Sequence, residues 1–104
     1  MDEQPKTVTI THFGRKFTVS IQTDRYKFGG GLYVQLVRLE DGVDYATVST
    51  NAGGPSLAED EFVFKTYSEN EGLLEALVAT GVVEQTGRFV ELGLAGPQPI
   101  CRLR

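Results

Sequence analysis

Apolar residues alternate with threonines at the start of this chain. Val8 and Ile10 stand between Thr7, Thr9 and Thr11, and Phe17, Val19 and Ile21 between Lys16, Thr18, Ser20 and Gln22. A period of two in residues that fit a pleated surface predicts two half-buried strands. Gly14 with Arg15 predicts a tight hairpin between them. Gly29, Gly30 and Gly31 then break the chain before Leu32 to Leu39, whose apolar residues fall on both faces and so predict an inner strand. Glu40-Asp41-Gly42 reads as a turn, with Asp44 to Thr50 as the partner strand beyond it. The stretch from Asn51 to Ser56 is a loop by composition, and Phe62 to Lys65 is the next strand.

The period changes after Tyr67. Ser68 stands at an N-cap position with Glu71 three residues on, the pattern of a capping box, and Glu69 favours the positive end of a helix dipole. Leu73, Leu74, Leu77 and Val78 form one apolar stripe, and Gly81 supplies a left-handed stop. A helix over about 69–80 follows, with Val82 and Val83 passing under a sheet edge. Thr86-Gly87 predicts another turn, Phe89 to Leu94 a strand, and Pro97 to Arg104 a short edge strand entered through prolines. The fold class expected is α+β: a twisted, mainly antiparallel sheet of five or six short strands with one helix packed on one face. Residues 1–5 read as a flexible tip and 6–104 as a single domain.

Charge adds an asymmetry to this frame. The net charge is -4, yet the first 38 residues hold six basic against three acidic side chains, and residues 39–91 hold eleven acidic against two basic. An acidic chain of this kind lacks the basic face that direct nucleic-acid binding needs. One cysteine excludes an intramolecular disulfide, and neither a leader pattern nor a membrane-length apolar run is present, so a cytoplasmic setting is expected.

Candidate chemistry is sparse. His12 is the sole histidine and lies at a strand end, where a partly exposed polar role is expected. Cys101, between Ile100 and Arg102, reads as a small buried hydrophobe. The triple glycine lacks the lysine, hydroxyl residue and following helix of a phosphate loop, and Glu59-Asp60-Glu61 lacks the spaced ligands and glycine of a calcium loop. No catalytic residue, metal ligand or cofactor is therefore assigned. The carboxylates themselves are the candidate site: Glu59, Asp60 and Glu61 before a strand, and Glu69, Glu71 and Glu75 along the helix. Together they could present a negative surface that steers and selects a basic partner.

The segments Gly31-Leu32-Tyr33, Asp44-Tyr45-Ala46-Thr47, Phe62 to Lys65, Tyr67-Ser68-Glu69-Asn70-Glu71-Gly72, Gly81-Val82-Val83, Thr86-Gly87-Arg88 and Cys101-Arg102-Leu103 resemble a family of uncharacterised small proteins of bacterial genomes, conjugative plasmids and phages. The similarity spans roughly residues 30 to 104. It implies a small protein of mobile genetic material and transfers no catalytic residue. The expected function is a non-enzymatic protein-binding module, with an anti-CRISPR-like inhibitor that masks the basic nucleic-acid-binding surface of a defence complex as its most specific form. The expected partner is a protein, with no direct contact to nucleic acid or membrane. The alternative is a plasmid or phage accessory protein whose acidic face serves only solubility; an enzyme is third.

Overall fold

A computed structural model describes residues 6–26, 31–51 and 57–104, apart from the side chain of Glu69. The expectations for residues 1–5, for Gly29 and Gly30, and for residues 52–56 lie outside the described residues. Among the described residues the chain forms β1 (Lys6–His12), β2 (Arg15–Arg25), β3 (Leu32–Arg38), β4 (Asp44–Thr47), β5 (Ser49–Thr50), β6 (Glu61–Phe64), α1 (Leu73–Thr80), β7 (Val83–Glu91) and β8 (Pro97–Leu103). Short 3-10 turns occupy Ser68–Asn70 and Gly93–Ala95.

The α+β class and the antiparallel pairing agree with the sequence pattern, but the single sheet of five or six strands does not. The strands form two four-stranded sheets, β1-β2-β3-β4 and β5-β6-β8-β7. Val48 explains the division. The extended segment from Asp44 to Thr50 changes sheets at this fully buried residue, whose N–H donates to the Val34 carbonyl (3.0 Å) and whose carbonyl accepts from the Lys65 N–H (2.7 Å). Half of the segment then pairs with β3 and half with β6, as strands at the corner of packed sheets do.

Two further expectations are corrected. β8 is an inner strand, between β6 and β7, and not an edge. Its prolines are tolerated because pairing with β6 begins only at Ile100, beyond Pro97 and Pro99, so no missing N–H falls opposite β6. Thr86-Gly87 is not a turn between strands but an irregularity within β7, where the register to β8 shifts between Gln85 and Phe89.

The core lies between the sheets. Ile10, Val19, Ile21, Val34 and Leu36 face Phe62, Phe64, Val83 and Cys101, and α1 adds Leu73 and Leu77. Leu74 and Val78, expected to be buried with them, are half-buried and pack on the rim of this cluster. The helix packs against both β1 and β7, each an outer strand of its sheet. Gly31 is required where the chain enters β3: at φ 91°, an added Cβ would lie 2.6 Å from Leu57 Cδ1 and 3.1 Å from the Glu61 carbonyl oxygen.

Candidate functional site

The helix starts later than its sequence signals predict. Neither Ser68 nor Glu71 caps it through a side chain; Ser68 has φ 63° and belongs to the 3-10 turn. Asn70 is the physical reason. Its fully buried side chain donates to the carbonyls of Thr47 (2.8 Å) and Lys65 (2.9 Å), tying the turn to both sheets at the price of a regular first helical turn. Its Oδ1 meets no partner among the described residues. Gly72, left-handed at φ 85°, then redirects the chain into α1, and Gly81 at φ 83° ends it as predicted.

This late start lets Glu71 meet β1. His12, expected to be partly exposed, is buried, and its Nε2–H donates to the Glu71 carbonyl oxygen at 2.6 Å. Its Nδ1 bonds the hydroxyl of Tyr45, whose phenol is pushed above its ordinary range by burial. With both ring nitrogens engaged, the ring anchors β1 to the helix approach and has no free nitrogen to serve as a base. Cys101 is equally withdrawn: burial pushes its thiol up to about 12, so it carries almost no thiolate near neutrality.

Beside His12 the chain turns through Phe13 and Gly14, both with positive φ, in the two-residue hairpin that links β1 to β2. Phe13 is 71% exposed, with its ring centroid 4.0 Å from that of His12 and tilted by 33°. A cleft of about 590 Å³ lies between β1 and α1, lined by Thr9, Ile10, Thr11, Gly72, Glu75, Ala76, Ala79 and Thr80. Among the described residues, Glu75 is the one charged residue in that lining.

The six carboxylates named from the sequence fall into different settings. Glu61 is buried, accepts the Ala58 N–H at 2.9 Å and pairs with Arg88 and Arg102. The Ala58 hydrogen bond, then Arg88, hold its carboxyl below the usual range. Asp60 pairs with Arg102 at 3.3 Å, and Glu84 with Arg102 (3.2 Å) and Arg104 (3.0 Å). Glu61, Arg102 and Glu84 are cross-strand neighbours on β6, β8 and β7, so this is an internally balanced charge row. Glu59 is exposed, and its carbonyl oxygen accepts from Arg25 at 3.0 Å. Glu69 lies in the 3-10 turn. Glu71 and Glu75 are exposed beside the β1 cleft, and no described residue forms an ion pair with either.

Among the described residues no group of three or more histidine, cysteine, aspartate or glutamate side chains is placed to hold a metal ion, and no helix is long and apolar enough to cross a membrane. The chain matches no protein-family model, no curated protein and no solved structure. Sequence reasoning missed the arginine partners Arg88, Arg102 and Arg104 and the structural role of His12. Strand order decides both, and no local pattern encodes it.

Proposed function

We propose that this chain is a non-enzymatic protein-binding module of a mobile genetic element, presenting Glu71 and Glu75 to a basic surface of a partner protein. Its most specific form is an anti-CRISPR-like inhibitor that masks the nucleic-acid-binding surface of a defence complex. The state of Glu71 and Glu75 supports this reading most directly: both are exposed and unpaired among the described residues, whereas Asp60, Glu61 and Glu84 are neutralised by arginines of the same chain. Unpaired exposed carboxylates keep their field available to steer a cationic partner. The engaged ring of His12 and the buried thiol of Cys101 favour binding over nucleophilic catalysis.

Affinity capture from the native host tests the proposal when wild type is compared with the Glu71→Lys/Glu75→Lys double variant. A partner retained by wild type and lost with the double variant is the expected result. A partner retained equally by both would contradict the assigned surface.

A further inference from the structure

β1 is an outer strand, and among the described residues no strand occupies its free side. Its register with β2 is unbroken from Lys6 to His12, closing on His12 opposite Arg15 across the two-residue turn. In such a hairpin the closing pair exchanges both backbone hydrogen bonds, and the pairs alternate from there. Thr9 opposite Thr18 is therefore a non-bonded pair, as two contacts bear out. The Thr18 carbonyl is directed to the Leu39 N–H on its other side (3.1 Å), and the two threonine hydroxyls approach to 2.8 Å. Thr7, Thr9 and Thr11 thus aim their backbone N–H and C=O groups outward, along a free edge of about 20 Å.

Exposed strand edges invite pairing and are ordinarily guarded by charge, proline or a bulge. β7, an outer strand of the second sheet, is guarded: it carries Glu84, Arg88 and Glu91 and a register break. β1 has none of these along Thr7 to Thr11. Its edge opens instead on the cleft whose far wall is built from the small residues Gly72, Ala76 and Ala79 and the single charge of Glu75, with exposed Phe13 at the hairpin end. Phe13 holds a left-handed φ of 52°, where asparagine or glycine is favoured and a bulky side chain is strained.

We propose that the β1–α1 cleft binds an extended basic peptide segment of a partner protein by strand addition. The segment continues the first sheet through hydrogen bonds to Thr7, Thr9 and Thr11, and its lysine or arginine side chains meet Glu75 and Glu71. Main-chain pairing supplies affinity in this mode, and side chains against the groove wall supply selection. The proposal rests on the protein-binding reading for the charge of the ligand; the strand-addition geometry is independent of it.

An alternating lysine–valine heptapeptide, titrated into isotope-labelled full-length protein, is the probe. Amide shifts centred on Thr7, Thr9 and Thr11 are expected, with at least tenfold weaker binding of an alternating glutamate–valine heptapeptide. Thr9→Pro removes one outward N–H without touching the β2 ladder and should weaken binding at least tenfold, with Thr9→Ala within about twofold of wild type. If Thr9→Pro fails to fold, the same heptapeptide N-methylated at alternate residues, which loses its donors while the protein stays unchanged, gives the equivalent comparison. Binding unaffected by either change overturns strand addition. It leaves the acidic reading standing if Glu75→Lys still weakens capture of the partner. Absence of shifts along β1, or equal binding of the two heptapeptides, overturns the proposal itself.

Discussion

Cys101 shows how far burial alone sets reactivity. Desolvation alone shifts its thiol, penalising the thiolate and pushing the group up to about 12. Native protein at pH 8 should therefore alkylate with iodoacetamide far more slowly than a free thiol, and denatured protein at the ordinary rate. Equal rates in the two states would show that the β8 segment opens readily. Glu61 follows the opposite logic, because the Ala58 N–H and Arg88 stabilise its charged form. A carboxyl depressed in the folded state contributes stability that is complete above its ordinary value of 4.5 and is lost as pH falls towards the lower folded value. Melting temperatures measured from pH 7 down to pH 3 should fall more steeply for wild type than for Glu61→Gln. Parallel curves would remove Glu61 from the acid response.

At the level of elements, α1 was legible in part. Leucine spacing identified the buried face and Gly81 its end, and Leu73 and Leu77 are fully buried as that spacing requires. Ser68 and Glu71 misled because a capping box is a local device, and Asn70 is held instead by the carbonyls of Thr47, in β4, and Lys65, just past β6. Leu77→Ala should cost about 2–5 kcal/mol, since it empties a core position, and Glu75→Ala within about 0.5 kcal/mol of zero, since it lies on an exposed face. Urea denaturation of the two variants separates these outcomes. Equal midpoints would mean that the helix does not pack through Leu77. Strand existence was similarly readable in β1, β2 and β3 from alternation, whereas the inner position of β8 was not. Pro97 and Pro99 speak for an edge, and only the short reach of β6 makes them harmless.

Across the whole molecule, linear charge and spatial charge differ. The acidic segment from residue 39 to 91 holds eleven carboxylates in sequence, yet antiparallel pairing brings Arg102 and Arg104 from outside that segment onto Asp60, Glu61 and Glu84. No composition count could show this, because the pairs join residues far apart in the chain. Among the described residues, what the fold leaves unpaired near a cleft is Glu71 and Glu75 at the start of α1, beside the free edge of β1. Association kinetics with the captured partner provide the most direct measurement, comparing wild type, Glu71→Lys/Glu75→Lys and Asp60→Lys/Glu84→Lys across a salt series. The helix variant should associate at least tenfold more slowly at low salt, with the difference shrinking as exposed charges are screened over about 10 Å at 0.1 M salt, while the network variant stays near wild type if folded. Slower association in the network variant alone, or rates indifferent to salt, would contradict a partner surface built on Glu71 and Glu75.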